Sequence, residues 1–284
     1  MGIHSVESQD FVVFDYDGTI AEEGGQVPDS VFTGIEALRQ VGVPTSVITA
    51  RPYLRLATVC GGEENLGRIV STDYPLATER GARIVNRSKD SNLVYHQLTT
   101  HELDAISDTE AYDGIDFIGF CPKELRGTSY IWNADASRQD EMISRFGHDA
   151  IVVENGKLAL RRALQEAEPC LVTIKFTVSD PDHSIVQGDL NVVWERKAAV
   201  MLGTGVTKLS ALELLCDAMG HTIEAVRYAG NDTSDLHILE VPDLRERIFV
   251  GDRVVVGMAE PVTRLVNPHA LGEYLINRVE PVEG

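Results

Sequence analysis

The chain has 284 residues, 43% of them hydrophobic, which is enough to bury one large core or a core with a sizeable insertion. Its 44 acidic and 25 basic residues give a formal net charge of −19, which disfavours nucleic acids and anionic membrane surfaces as partners. The first apolar run, residues 11–14, is too short for a signal-peptide core or a membrane span. We therefore predict a cytoplasmic protein, a monomer or homodimer, that binds small molecules.

The first part of the chain alternates strands and helices in the manner of an α/β protein. Residues 11–15 are predicted as a strand, because the continuous apolar run that begins this segment is typical of a parallel strand buried on both faces. Pro28 and the apolar positions after it, at helical spacing, predict a helix that ends at Gly42. The elements predicted next are a strand at 43–49, a helix from Pro52, a strand near 68–71, and a hairpin of 82–86 with 93–98.

From about residue 99 to 189 the pattern changes to that of an inserted α+β module. The predicted helices are 100–107, 137–147 and 157–166, and the predicted strands are 115–120, 128–133, 150–153 and 171–179. The α/β pattern then resumes with a strand at 190–202, a helix at 208–219, a strand at 225–229, a short helix at 233–240, strands at 247–250 and 254–258, and a final helix. We predict an α/β core of residues 1–98 and 190–284 with a doubly wound parallel sheet, interrupted by an α+β domain of residues 99–189.

The most informative motif is Asp15-Tyr16-Asp17-Gly18-Thr19, at the carboxyl end of the first predicted strand. Open α/β sheets bind their ligands at that edge. Two carboxylates two residues apart, followed by a glycine, can point into one crevice, where one acts as a nucleophile and the other transfers a proton. The alternative is a simple turn or half of a calcium loop. An EF-hand loop, however, needs a third oxygen ligand before its glycine and a glutamate at its twelfth position, and this segment has neither.

A second motif, Thr49-Ala50-Arg51, follows the second predicted strand and precedes the helix that begins at Pro52. The threonine hydroxyl, the first amides of the helix and the guanidinium can meet at a phosphate group. The tripeptide by itself is also typical of an ordinary loop. Its position at a strand end, like that of the first motif, is what makes it a candidate.

Two further candidates lie in the second half of the chain. Lys208 begins a predicted amphipathic helix, where the helix dipole disfavours a cation. It is either a solvated lysine or a group that neutralises charge between a nucleophile and a phosphate. The run Gly230-Asn231-Asp232-Thr233-Ser234-Asp235 follows the strand at 225–229, and its oxygen atoms suit magnesium or, alternatively, cap the next helix.

In this order the four motifs resemble those of the haloacid dehalogenase superfamily, whose phosphatases carry D-x-D-G-T, T/S-x-R, K and G-D-x-x-x-D. The resemblance covers roughly residues 10–98 and 190–284. The inserted segment 99–189 lies between the second and third motifs, as in members with a type II cap, and the resemblance implies that it selects the substrate. The first and fourth motifs look most like those of trehalose-phosphate phosphatases and related sugar-phosphate phosphatases.

The resemblance implies that Asp15 attacks phosphorus, and that Asp17 protonates the leaving oxygen and later deprotonates the hydrolytic water. It implies that Lys208 orients Asp15 and offsets charge, and that Thr49 holds a phosphoryl oxygen. The residues that it places around the substrate are Gly18, Thr19, Thr49, Ala50 and Arg51. An acid at the Asp17 position also argues against the dehalogenase branch of the superfamily, which lacks that acid.

The same resemblance implies a Mg²⁺ ion held by the Asp15 carboxylate, the Asp17 backbone carbonyl and the fourth motif. One departure concerns that motif, because Asn231 stands where the family usually has an aspartate. Either Asn231 donates a neutral oxygen or Asp232 replaces it with a shifted backbone, while Asp235 contributes to the metal site directly or through a water. Loss of a carboxylate is expected to weaken magnesium binding.

These implications combine into the prediction of a magnesium-dependent phosphatase that hydrolyses a small phosphorylated metabolite, a sugar phosphate, through an aspartyl-phosphate. Two alternatives remain open. A phosphomutase or phosphotransferase would use the same site to pass the phosphoryl group to a second hydroxyl. A non-catalytic, ligand-binding member of the fold would account for Asn231.

Overall fold

The computed structural model describes residues 10–22, 25–109, 114–133, 150–154, 156–185, 190–252 and 261–278. The chain divides into two compact units, one formed by the segments up to Leu93 and from Thr207 onward, the other by Val94–Val206. The helix predicted at 137–147 and the strand predicted at 254–258 lie outside the described residues. Among the residues that are described, no helix combines the length and the apolar character needed to cross a membrane.

The secondary structure follows the chain in this order. The strands are β1 (Phe11–Phe14), β2 (Thr45–Val47), β3 (Leu76–Thr78), β4 (Arg83–Asn86), β5 (Ser91–Tyr95), β6 (Ile115–Phe120), β7 (Tyr130–Asn133), β8 (Ile151–Val153), β9 (Leu171–Phe176), β10 (Asn191–Glu195), β11 (Ala198–Leu202), β12 (Val226–Gly230), β13 (Glu246–Val250) and β14 (Thr263–Leu265). The helices are α1 (Asp29–Gln40), α2 (Tyr53–Val59), α3 (Glu63–Ile69), α4 (Thr100–Asp108), α5 (Lys157–Ala167), α6 (Lys208–Met219), α7 (Leu236–Leu239) and α8 (Pro268–Arg278).

The first unit is built on a sheet with the strand order β14-β13-β12-β1-β2, in which every neighbouring pair is parallel. β1 is fully buried along its length, as its continuous apolar run predicts. Among the helices of this unit, α1 packs against α8 and α3, whereas α6 packs against α7 and the strand β3. These contacts confirm the predicted α/β class with a parallel sheet.

One predicted strand of this unit is wrong. Residues 68–71 were expected to be extended, but Ile69 lies in the last turn of α3, and Ile69 and Leu66 face the core. An apolar pair at the end of a short segment fits the inner face of a helix as well as it fits a strand, so the pattern alone does not separate the two. The next strand after α3 is β3, at Leu76–Thr78, which pairs antiparallel with β4.

The second unit contains a sheet with the order β10-β11-β9-β6-β7-β8. Its apolar core includes Ile118, Ile174 and Leu164, so that α5 and α4 cover the sheet. α4 begins with a capping box between Thr99 and Glu102, which satisfies amide groups at the helix start.

The boundaries of this unit differ from those predicted for the inserted domain, 99–189. The predicted strand 190–202 is a hairpin of β10 and β11, and β11 pairs antiparallel with β9 of the second unit. Because those ladder hydrogen bonds tie the hairpin to the second sheet, the unit extends to Val206 rather than to residue 189. The role of this unit as a cap that selects the substrate stays a prediction.

Two glycines allow α1 and α8 to approach each other. A Cβ atom at Gly272 would lie 2.4 Å from the backbone carbon of Ser30, and a Cβ at Gly34 would lie 2.7 Å from the carbonyl oxygen of Gly272. Both distances are shorter than real Cβ atoms keep from other heavy atoms. Both also involve backbone atoms, which cannot rotate away as the end of a side chain can. The separation between the two helices is therefore fixed by the absence of side chains at these positions.

We predict that Gly272→Ala destabilises the protein, measured as the free energy of unfolding in urea. Alanine would favour the helix by about 1 kcal/mol, but the clash with Ser30 outweighs this gain because overpacking costs about 1–3 kcal/mol or more. Gly203→Ala is a matched control, since its Cβ would meet only a side-chain carbon of Val206 at 3.9 Å. A Gly272→Ala protein as stable as the unmodified one would contradict this account of the helix contact.

Candidate active site

The candidate site lies at the carboxyl ends of β1 and β12, which are neighbours in the first sheet. The chain leaves β1 for β2 on one side, and leaves β12 for β13 on the other. Connections that diverge in this way open a crevice between the two strand ends, which is where α/β sheets bind ligands. The first motif follows β1 and the fourth motif follows β12, so both border that crevice.

The first motif is held in a tight loop by the carbonyl of Tyr16. This oxygen accepts hydrogen bonds from the backbone amides of Thr19, Ile20 and Ala21. Gly18 has a φ of +77°, a conformation that favours glycine, and a Cβ atom there would lie 2.0 Å from the side chain of Asn231. The backbone conformation therefore favours glycine at this position, and a side chain there would also displace the amide of Asn231.

A buried ion cluster joins three motifs. The ammonium nitrogen of Lys208 lies 2.8 Å from Oδ1 of Asp15 and 2.7 Å from Oδ1 of Asp235. All three side chains are almost fully buried. The hydroxyl of Thr19 donates a long hydrogen bond, 3.3 Å, to the other oxygen of Asp15. The predicted nucleophile, lysine and fourth-motif acid are thus in direct contact.

The start of α6 directs Lys208 into this cluster. Thr207 caps the helix: its hydroxyl accepts a hydrogen bond from the amide of Ser210, whose hydroxyl in turn accepts one from the amide of Thr207. This reciprocal capping fixes Lys208 as the first helical residue. A side chain at that position points back toward the helix N-terminus, and here it reaches the carboxyl ends of β1 and β12. Local capping therefore explains why a buried lysine stands where the helix dipole disfavours a cation.

Burial and charge act against each other on these groups. Burial raises the pKa of Asp15 to about 7, although the ammonium of Lys208 lowers it. Burial alone would lower the pKa of Lys208, but the carboxylates of Asp15 and Asp235 outweigh this effect and raise its pKa. Lys208 therefore remains a cation at neutral pH. Two carboxylates and one ammonium leave the cluster with one formal negative charge when both acids are ionised.

Asp235 is saturated by protein donors. Its Oδ1 accepts from Lys208 and, at 2.6 Å, from the hydroxyl of Tyr228. Its Oδ2 accepts from the backbone amides of Asn231 and Asp232 at 3.0 and 3.2 Å. Four donors fill the four acceptor positions of a carboxylate. In this arrangement Asp235 organises the fourth motif and Lys208, and its hydrogen bonds give no support to the predicted direct contact with a metal.

The second motif meets the first through Arg51. Its Nε lies 2.8 and 3.0 Å from the two oxygens of Asp17, and its Nη2 also contacts this carboxylate. Thr49 is fully buried, and its hydroxyl accepts a hydrogen bond from the backbone amide of Arg51 at 3.2 Å. Ala50, between them, is half-buried. Arg51, which was predicted to face the substrate, therefore pairs with the predicted proton-transfer group.

A turn that the sequence did not single out supports the second motif. Glu79, Arg80 and Gly81 all have positive φ values, 48°, 57° and 98°, which is unfavourable for the first two. The amides of Glu79 and Arg80 donate to the carbonyls of Arg51 and Thr49. The side chain of Glu79 pairs with Arg83, and both are buried. Two strained residues thus hold the Thr49–Arg51 loop in place.

Tyr228 is a further site residue that the motifs did not reveal. It is fully buried within β12, and burial, reinforced by Asp235, raises its pKa well above the ordinary value, so it keeps its proton and donates to Asp235. The available signal was a tyrosine between Arg227 and Ala229, near the end of a predicted strand. That signal is weak, because a tyrosine in such a strand usually packs as an apolar ring.

The oxygen donors at the crevice fit a magnesium ion. Oδ1 of Asn231 is buried and has no hydrogen-bond partner among the described residues, an arrangement that a cation would relieve. Asp15 has acceptor capacity beyond its contacts with Lys208 and Thr19. Asp232 instead caps the following turn, with Oδ1 accepting from Ser234. Hard oxygen ligands of this kind, with waters in addition, are what Mg²⁺ prefers.

A magnesium site here would not be formed by histidine, cysteine and acidic side chains alone. Within the described part of the chain, no group of three or more of these residues is arranged to hold a metal. The candidate donors here are one carboxylate from Asp15, the amide oxygen of Asn231 and the predicted backbone carbonyl of Asp17. Two of these three are neutral oxygens, which such a cluster does not include.

Comparisons with known proteins agree with this architecture. BT1666 from Bacteroides thetaiotaomicron, described as a phosphatase of the haloalkanoate (HAD) enzyme superfamily, superimposes with a TM-score of 0.73 at 14% identity, covering 98% of this chain and 97% of that one. BT4131, described as a HAD subclass IIB sugar phosphatase, gives 0.72 at 15% identity and covers 95% and 98%. TM0651 from Thermotoga maritima gives 0.72 at 13% identity and covers 95% and 97%. At these identities the likeness shows the fold.

The sequence itself identifies the family. No curated protein matches the chain. A family model described as haloacid dehalogenase-like hydrolase, however, matches residues 12–246, which include all four motifs and most of both units. The resemblance inferred from the motifs is thereby confirmed, and the chain belongs to the haloacid dehalogenase-like hydrolases.

Proposed function

We propose that the protein is a magnesium-dependent phosphatase that hydrolyses a small phosphorylated metabolite, a sugar phosphate, through an aspartyl-phosphate intermediate. The observation that carries this proposal is the buried contact of Lys208 with Asp15, 2.8 Å, beside a second acid two residues further on. A carboxylate held next to a cation is suited to attack phosphorus, because the cation offsets the charge that develops on the transferred group.

Asp15 is the nucleophile in this mechanism. Lys208 and Thr19 hold its carboxylate in one orientation, so one oxygen can attack phosphorus in line with the leaving oxygen. The bond between phosphorus and the leaving oxygen breaks as the bond to Asp15 forms. Water then attacks the aspartyl-phosphate, releases inorganic phosphate and restores the carboxylate.

Asp17 transfers protons in both steps. It lies on the same loop as Asp15 but is 45% exposed, so its carboxylate can reach solvent and substrate oxygens. Asp17 enters the first step as the protonated carboxylic acid and donates that proton to the leaving oxygen; the carboxylate that remains accepts a proton from the attacking water in the second step. Its exposure suits proton transfer, whereas the burial of Asp15 suits a nucleophile shielded from water.

Magnesium would be held by the Asp15 carboxylate, the amide oxygen of Asn231 and the backbone carbonyl of Asp17. When bound, the ion supplies positive charge that neutralises the phosphoryl oxygens. The protein residues supply the rest of the environment. Asp235 keeps Lys208 and the 231–232 backbone in position, and the net negative charge of the buried cluster favours a cation.

A sugar phosphate is proposed as the substrate class on two grounds. The first and fourth motifs look like those of sugar-phosphate phosphatases, and one structural neighbour, BT4131, is described as a sugar phosphatase. The specific sugar depends on residues outside the four motifs. A panel of phosphorylated metabolites, assayed for phosphate release with Mg²⁺, identifies the substrate class directly.

We predict that Asp15→Asn abolishes hydrolysis of p-nitrophenyl phosphate, because the amide cannot form the phosphoryl ester. Acid quenching of the unmodified enzyme with labelled substrate should trap phosphate on the protein, and mass spectrometry should locate it at Asp15. An unmodified protein that binds phosphate esters but hydrolyses none would instead favour the non-catalytic alternative.

A second prediction separates hydrolysis from phosphoryl transfer. In water enriched in ¹⁸O, hydrolysis through the aspartyl-phosphate places one solvent oxygen in each inorganic phosphate released. A mutase or phosphotransferase would pass the group to a second hydroxyl without this label. We expect labelled phosphate in proportion to turnover, as measured by mass spectrometry. Formation of a rearranged or transferred phosphate ester in place of labelled phosphate would exclude a hydrolase.

A third prediction concerns the unpaired oxygen of Asn231. Asn231→Asp should tighten Mg²⁺ binding by about tenfold or more, because a carboxylate replaces a neutral ligand. Isothermal titration calorimetry with Mg²⁺ alone measures this without any turnover. The control is Asp232→Asn, which removes one negative charge where Asn231→Asp adds one. Oδ1 of Asp232 accepts a hydrogen bond from the amide of Ser234, so the effect of this variant on Mg²⁺ affinity should stay within about twofold. A larger effect at Asp232 than at Asn231 would identify Asp232 as the ligand.

A further inference from the structure

The contact between Arg51 and Asp17 joins two loops that lie far apart in sequence. Nε of Arg51 is within 3.0 Å of both carboxylate oxygens, and Nη2 contacts Oδ1. Arginine presents its N–H groups in a rigid planar fork, so this contact fixes the plane and direction of the carboxylate as well as its distance. Asp17 is the one acid that Arg51 contacts among the described residues.

Arg51 is itself held from several directions. Its backbone amide donates to Thr49 and its carbonyl accepts from the strained residue Glu79. Its guanidinium lies 5.8 Å from the centre of the Tyr16 ring, and that ring is fixed by a hydrogen bond from the Tyr16 hydroxyl to the carbonyl of Gly25. The arginine thus transmits the rigid position of the Thr49–Arg51 loop to the carboxylate of Asp17.

The pairing limits what Arg51 can do for a phosphate. The Nε–H and one Nη2–H of Arg51 are directed at Asp17. A phosphoryl oxygen would have to displace the carboxylate to use this edge of the guanidinium, which leaves only the Nη1 edge for a phosphate. Lys208 already places a cation beside Asp15, so a phosphoryl group at Asp15 has a positive partner that does not depend on Arg51.

We propose that Arg51 is a positioning residue that acts through Asp17, orienting its carboxylate for proton transfer, rather than the phosphate ligand that the sequence motif suggested. This inference rests on the proposed phosphatase function. It predicts that replacing Arg51 lowers kcat only while Asp17 is present. It also predicts that this loss of kcat is largest for substrates whose leaving oxygen needs a proton.

The test is a double-mutant cycle with Arg51→Ala, Asp17→Asn and the double variant, measured on two aryl phosphates. Phenyl phosphate has a poor leaving group that needs protonation, whereas 2,4-dinitrophenyl phosphate does not. On phenyl phosphate, Asp17→Asn should lower kcat by about 10²–10⁴-fold, as expected for loss of general acid–base catalysis. Arg51→Ala should lower kcat by about tenfold or more with little change in KM, and should add nothing to Asp17→Asn.

Two further measurements complete the design. On 2,4-dinitrophenyl phosphate, the loss caused by Arg51→Ala should shrink to within about twofold in the first chemical step, seen as the burst of dinitrophenol. The affinity for inorganic phosphate, measured by calorimetry, should also stay within about twofold. Arg55→Ala, one helical turn further on and exposed, is the matched arginine control and should leave every parameter unchanged.

Several results would contradict the proposed role of Arg51. Equal losses from Arg51→Ala with and without Asp17, or phosphate affinity weakened about tenfold, would overturn the inference and make Arg51 a phosphate ligand. An Arg51→Ala enzyme with unchanged kcat on phenyl phosphate would also overturn it. Absence of Asp15-dependent turnover in the unmodified protein would instead overturn the proposed function, and this inference with it.

Discussion

The burial of Lys208 between Asp15 and Asp235 is the interaction on which the site depends. Removing three charged groups from water is costly, and the cost is offset only when each charge has close partners. Lys208 has two carboxylates within 2.8 Å, and Asp235 has three further donors. Asp15 follows β1, Asp235 follows β12 and Lys208 begins α6, so the cluster forms only when the parallel sheet is assembled. The position of Asp15 beside Lys208 therefore depends on correct folding of the sheet.

If the protein is the phosphatase proposed above, the local distribution of charge explains how a chain with a net charge of −19 binds an anionic substrate. With all three acids ionised, the buried cluster of Asp15, Lys208 and Asp235 has one negative charge in excess, and the Arg51–Asp17 pair has none. In the proposed mechanism, a divalent cation at the Asp15 carboxylate would turn that single negative charge into a single positive one. The crevice would then attract a phosphate dianion by a local field that opposes the field of the whole protein.

The sequence predicted the parts of this site that follow from topology. Asp15 and Asp235 come after neighbouring parallel strands, and the carboxyl ends of such strands meet at one edge, so their proximity was predictable. The pairing of Arg51 with Asp17 was not, because it depends on side-chain direction across two loops. The end of the second unit was missed for a related reason. The β10–β11 hairpin belongs to the sheet it pairs with, and pairing with β9 has no local signature in residues 190–202.

Asn231 is the residue at which the chain departs from the family pattern, and the surroundings of its side chain indicate what this difference does to the charge of the crevice. Its amide oxygen is buried and unpartnered, while its side chain lies against Gly18, where no larger residue fits. An aspartate here would add a second excess negative charge to the crevice, and a bound divalent cation would then only neutralise it. With asparagine, a crevice loaded with the proposed cation would keep one positive charge, so weaker attraction for the metal would accompany stronger attraction for a dianionic phosphate. The substitution is therefore consistent with an active site and does not by itself indicate a lost one.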